Sequence, residues 1–177
     1  MFLPAVFLLA GCCLAAPAAL AAEPTENDVK VAYLFNFAQF VDWPSGAGAG
    51  ADDAVNFCVI GGNPFGRTLY SIQGKTIKNR KVAVSLINAA AEASQCQVLF
   101  ISRSERQQVR HITGQLGRKP VLTISDTEDF VQAGGMIGMF LDDGRVQFEI
   151  NNAAAEHAGL KISSHLLRLA KKGPRHD

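Results

Sequence analysis

Two short apolar runs, residues 55–60 and 96–101, constrain this chain more than any other feature, because each is rich in Val, Ile and Phe and each carries one cysteine, Cys58 and Cys96. Runs of this length and composition read as buried strands. If the two strands are neighbours, the Cβ atoms of Cys58 and Cys96 come within disulfide range. The other cysteines, Cys12 and Cys13, fall in residues 1–22, which read as a signal peptide: an apolar run from Phe2 to Leu9, then small residues ending Ala19-Leu20-Ala21-Ala22. The run is shorter than the roughly 20 apolar residues needed to cross a bilayer. Cleavage leaves a domain of residues 23–177 with one cysteine pair, destined for the periplasm, an oxidising compartment where a disulfide is the expected use. Over about 40 residues such a bridge stabilises by ~3 to 4 kcal/mol. Two buried thiols serving as small apolar side chains are the alternative. No metal is expected, since neither cysteine has a second Cys or a His at ligand spacing. Leu9-Ala10-Gly11-Cys12 also matches a lipobox, so a lipid anchor through Cys12 is the alternative to plain cleavage.

Charge narrows the class of partner. The 177 residues hold 17 Lys plus Arg against 16 Asp plus Glu, a net charge of +1. With no basic stripe, nucleic acid is excluded as a partner. The segment Ser45-Gly46-Ala47-Gly48-Ala49-Gly50-Ala51 reads as a flexible loop, and no repeat of solenoid length is visible.

The remaining elements alternate. Thr25 with Asp28 marks a helix start, and the helix over 29–43 places Tyr33, Phe37, Phe40 and Val41 on one face before Pro44 stops it. Tyr33, Phe37, Phe40 and Trp43 form an aromatic set for core packing or a dimer surface. Strands are expected at 55–60, 81–87, 97–101 and 121–125, with a short helix at 69–72, a helix capped by Ser104 and closed by Gly117, and a capped helix at 126–131. Residues 136–141 and 145–150 form a hairpin through Asp143-Gly144. Helices at 153–158 and 164–172 end at Gly159 and Gly173-Pro174. The fold class is α/β: a single-domain layered α/β sandwich with a mixed sheet ending in an antiparallel hairpin.

Recognisable catalytic patterns are missing: no G-x-S-x-G, H-E-x-x-H, Walker A or Cys-x-x-Cys occurs. His111, His157, His165 and His176 lack carboxylates at ligand spacing and read as surface residues. Gly61-Gly62-Asn63-Pro64-Phe65-Gly66 lies where phosphate loops occur, yet Pro64 removes a donor and no Lys-Ser/Thr follows, so a tight turn is preferred. Gly134 and Gly135 are candidates for an anion cradle or, preferably, a sharp turn. Glu149 falls opposite Val146, Phe148 and Ile150 by strand alternation. It is a candidate for tying the hairpin to the amides near Asn151, or for ligand contact. In the last helix Ile162, Leu166 and Leu169 should face inward, leaving Leu167 and Arg168 exposed, with Leu160 and Lys161 extending the same partner-binding patch.

The order Val31-Ala32-Tyr33-Leu34-Phe35-Asn36-Phe37 to Trp43-Pro44, Phe57-Cys58-Val59-Ile60-Gly61, Cys96-Gln97-Val98-Leu99-Phe100-Ile101, Val121-Leu122-Thr123-Ile124-Ser125-Asp126, Gly134-Gly135-Met136-Ile137-Gly138 and Phe148-Glu149-Ile150-Asn151 resembles the YfiR family. The closing stretch, from Ala158-Gly159-Leu160-Lys161-Ile162-Ser163 to Leu167-Arg168-Leu169-Ala170, fits it as well. The resemblance implies a non-enzymatic periplasmic α/β protein, often a homodimer, without a cofactor, whose disulfide carries over onto Cys58 and Cys96. Such a protein holds a membrane-bound signalling enzyme inactive by contacting its periplasmic sensor domain. In the family that enzyme is a YfiN-like diguanylate cyclase, and an outer-membrane YfiB-like lipoprotein relieves the inhibition. Relatives beside histidine kinases give the alternative of a small-molecule sensor subunit, binding an effector near residues 61–65 or Glu149.

Overall fold

The computed structural model describes residues 23–46 and 54–171, so the leader, Cys12, Cys13, most of the Gly/Ala loop, Lys172 and His176 lie outside the described residues. Both cysteine-bearing runs are strands. β2 (Val55–Ile60) lies parallel to β5 (Val98–Ile101), with Cys58 opposite Leu99. Strand alternation sends Phe57, Val59, Val98 and Phe100 to one face and Cys58, Ile60, Leu99 and Ile101 to the other. Both faces are covered, which is why these strands read as unbroken apolar runs.

Around this pair the sheet is completed by β3 (Thr76–Ile77), β4 (Arg80–Ile87), β6 (Leu122–Ser125), β7 (Ile137–Asp142) and β8 (Arg145–Ile150), in the spatial order β3-β4-β2-β5-β6-β7-β8. The five central strands are parallel, and β3 and β8 close the two edges antiparallel. One face packs on α1 (Glu26–Gln39), the 3-10 helix Gly66–Ile72, α3 (Asn152–His157) and α4 (Ser164–Leu169), through Leu34, Phe37, Leu69, Ala155 and Leu166. The other packs on the 3-10 helix Ala90–Gln95 and α2 (Val109–Leu116), through Ala93, Val109, Ile112 and Leu116. The expected layered α/β fold with its terminal hairpin is present.

The Cys58–Cys96 disulfide is formed, with the Cα atoms 5.9 Å apart. Cys96 is the C-cap of Ala90–Gln95 and precedes β5, so the bridge does not join directly opposed strand positions. It pins the helical turn onto the central strand β2.

Several local expectations are corrected. α1 has the Thr25/Asp28 capping box, and the hydrogen bonds from Thr25 hold the Asp28 carboxyl below its usual range. The helix stops at Gln39, four residues before Trp43, because β1 (Val41–Asp42) pairs antiparallel with β9 (Lys161–Ile162) and Ser163 N–H donates to Phe40 O. Val41 and Phe37 are therefore buried, whereas Phe40 is 39% exposed. Tyr33 stacks on Phe37 with ring centroids 5.5 Å apart. The β3–β4 hairpin escaped sequence reading because its turn is Lys78-Asn79, both at positive φ (47° and 69°), in place of the usual Asn-Gly. Ser104 does not cap a helix. Its region is a 3-10 turn, Arg103–Gln108, leading into α2, and its hydroxyl is used elsewhere. Residues 126–131 form turns instead of a helix, since Asp126 and Phe130 are drawn into separate buried contacts. Gly135 packs flat on the Phe130 ring, where a Cβ would overlap it.

Two stability measurements follow. Replacing Cys58 and Cys96 together by alanine should lower the unfolding free energy in urea by about 4 kcal/mol with an unchanged native spectrum, from closure of the 38-residue separation. Gly135→Ala should cost about 1 to 3 kcal/mol in the same assay by forcing Phe130 from its place.

Candidate functional site

In an open α/β sheet, ligands favour the crevice outside the carboxyl ends of the strands where the strand order reverses. Here the reversal lies between β2 and β5, since the chain passes from β2 to β4 on one side and then to β5 on the other. The loops after these two strands are bonded to each other. Gly62 N–H donates to Ser104 Oγ at 2.9 Å, and a Cβ on Gly61, whose φ is 86°, would collide with the same hydroxyl. Asn63 accepts from Phe65 N–H and donates to Gly66 O, both at 3.0 Å, while Asn27 donates to Pro64 O at 2.9 Å. The 61–66 loop is thus a self-satisfied turn and no phosphate cradle.

One strand further, β6 ends at Ser125 and Asp126 follows it, both buried. Ser125 Oγ donates to Ile101 O at 2.6 Å and accepts from Thr127 N–H at 3.0 Å. Asp126 turns toward α1, where Lys30 Nζ donates to its Oδ2 at 2.6 Å and also meets Glu26 at 2.7 Å. The Lys30 side chain is only 7% exposed. Arg103 reaches the same residue from above, donating to Asp126 O at 3.1 Å, with its Nε 3.4 Å from Oδ1. Sequence reading missed this network, although a signal exists. Lys30 precedes Leu34, Phe37 and Val41 at helical spacing, a charge on a core-facing stripe that must find a buried partner.

A cleft of about 290 Å³ opens beside Asp126, lined by Arg103, Glu128, Asp129, Phe140 and Glu149 among others. Glu149 is half-buried on the face expected for it, and Gly138 beside it leaves the room: a Cβ there would sit 3.3 Å from Oε1. The hairpin is joined to the following segment by Asn151, which donates its N–H to Met136 O at 2.8 Å and accepts from Ala154 N–H at 3.0 Å, capping α3. Gly134 and Gly135 donate their amides to Val131 O and Phe130 O, so both serve the turn.

The C-terminal patch is rearranged. Leu160 is 1% exposed and belongs to the core, because the left-handed turn at Gly159 (φ 75°) swings it inward and its N–H donates to Ala155 O. Lys161 and Arg168 are exposed as expected, and Leu167 is partly buried against the core. Leu169, expected to face inward, is 54% exposed, since the helix ends there and Lys171 N–H then donates to Phe148 O along the β8 edge. His165, Arg168 and Leu169 share one face of α4 by their spacing, with the Phe40 ring 5.4 Å from that of His165. The His111 ring lies 3.1 Å from the Gln115 amide, and His157 is exposed at the end of α3. Among the described residues, no group of three or more His, Cys, Asp or Glu could hold a metal ion, and no helix is long and apolar enough to cross a membrane.

A mainly parallel sheet covered on both faces and stapled by an internal disulfide defines a single-domain α/β fold, which presents a mixed apolar and basic face on α4. The YfiR/HmsC-like family model matches residues 27–171, and the chain belongs to that family. In fold it is similar to a conserved domain protein from Vibrio cholerae O1 biovar El Tor strain N16961, with 13% identity and a TM-score of 0.51. The match covers 82% of this chain and 59% of that one, so the chain spans less than two thirds of that protein's length, and the likeness shows the fold alone. No curated protein matches the sequence.

Removing one member of a buried ion pair leaves the other uncompensated. Lys30→Met should therefore cost about 3 kcal/mol in urea unfolding, and the Lys30→Met, Asp126→Asn double variant should cost at least about 1 kcal/mol less than the sum of the singles. Additive costs would show that the pair is not coupled.

Proposed function

We propose that this protein is a periplasmic regulatory binding protein that represses a membrane-anchored signalling enzyme, a YfiN-like diguanylate cyclase, by contacting its periplasmic sensor domain. Membership of the YfiR/HmsC-like family across residues 27–171 carries this reading. The disulfide supports it, being suited to an oxidising compartment outside the cytosol. Repression needs a contact surface and no reacting groups, in keeping with a fold that ties Cys58 to Cys96 in a disulfide and satisfies its glycine turns at 61–66 and 134–135 from its own chain.

The surface we assign to the partner is the outer face of α4 with its neighbours: Lys161, Arg168 and Leu169, flanked by Phe40. An apolar side chain beside a guanidinium is the composition of interface anchors. Leu167 contributes only its exposed edge, and Leu160 supports the patch from beneath. Release of repression is assigned to an outer-membrane YfiB-like lipoprotein, and the working form to a homodimer.

Deleting the protein should raise cellular cyclic di-GMP several-fold, and returning the wild-type chain should restore the low level. An Arg168→Glu, Leu169→Asp variant should reach the same periplasmic amount with the same circular dichroism yet leave cyclic di-GMP high. Loss of about 2 kcal/mol at an interface anchor weakens binding roughly 30-fold. Unchanged cyclic di-GMP on deletion would remove the cyclase as the target, and full repression by the folded variant would remove this surface.

A further inference from the structure

A second cleft, of about 300 Å³, opens between α2 and α3 beside the amino-terminal ends of β6 and β7. Arg110, Lys119 and His157 line it, and no carboxylate does. In a chain with 17 basic against 16 acidic residues, this is a local segregation of charge. None of the three pairs with a carboxylate among the described residues. Beneath them lies Thr123, 2% exposed, whose Oγ1 accepts from Met136 N–H at 3.1 Å. Its hydroxyl proton has no acceptor among the described residues, leaving one donor uncommitted in the cleft lining. The wall from α2 is bare at Gly114, where an added Cβ would meet nothing within 4 Å.

Two cations without counter-ions, Arg110 and Lys119, with an imidazole and a spare hydroxyl donor around one concavity, are suited to holding an anion. The volume is at the lower end for small-molecule sites, room for a metabolite and too little for a protein segment. We propose that this cleft binds a small organic anion bearing a phosphate or carboxylate group, held by Arg110 and Lys119 with His157 at the rim and Thr123 below. The site shares no residue with the α4 face and stands independently of the repression reading.

The test uses inorganic phosphate and citrate as probes, titrated at constant ionic strength into the isotope-labelled protein while the amide signals of Gly114, Thr123 and Gly134 are followed by NMR. At least one probe should give saturable shifts with a millimolar or tighter Kd. Arg110→Glu with Lys119→Glu should weaken that binding by about tenfold or more. Gly114→Leu, which keeps every charge but fills the cleft, should weaken it comparably. No saturable shift with either probe would overturn the proposal. So would wild-type affinity in folded Gly114→Leu, which would assign the binding to diffuse surface charge. Should Gly114→Leu fail to fold, undiminished affinity in the exposed charge-pair variant overturns the proposal equally.

Discussion

Burial of both faces of the β2–β5 pair is the constraint on which the structure rests. A parallel pair that is apolar on both sides cannot stand at a surface, so the chain must supply two helical layers. It does so unequally. Four helical segments cover the face of Phe57 and Phe100, whereas among the described residues two, Ala90–Gln95 and α2, cover the face of Cys58 and Leu99, with Phe130 from the turns after β6. The disulfide sits on the thinner side, where a six-residue 3-10 helix has little apolar surface of its own with which to stay in place. Covalent attachment to the central strand compensates for what hydrophobic contact there does not provide.

Polar groups are spent on joining layers and closing loops. Lys30 and Asp126 connect the first helix to the end of β6 across 96 residues of sequence, and Arg103 adds the loop after β5 to the same point. Ser104 locks the 61–66 loop to the turn that precedes α2. The loops after β2, β5 and β6 are therefore tied to one another and to α1 by their own polar groups.

The parts of this architecture governed by local chemistry were legible in the sequence. The short unbroken apolar runs, the Thr25/Asp28 box, the Asp143-Gly144 turn and the glycines at 117 and 159 each specify their structure within a few residues. The cysteine pair was legible because an oxidising compartment leaves few other uses for it. What escaped depended on distant partners. Residues 40–42 satisfy helix periodicity, and only the presence of β9 converts them to a strand. Leu160 is turned inward by the Gly159 turn and Leu169 is left exposed because α4 ends at it and the chain leaves along β8, and helical spacing registers neither event. The Lys30–Asp126 contact could be half read, as a misplaced charge on an apolar stripe, but the identity of its partner required the fold.

The two-stranded ribbon of β1 and β9 pairs Val41 with Ile162, near the two limits of the family domain. A domain made or delivered amino end first cannot form this pairing until Ile162 has arrived, whereas the β2–β5 ladder needs it only as far as Ile101. Contacts of such long sequence separation are slow to close, because the loop entropy is lost before any contact compensates it. The ribbon is in this sense a completion signal. Until it closes, the end of α1 and the segment leading into α4 have no fixed relation, and the surface that α4 presents exists only on a molecule that has finished folding.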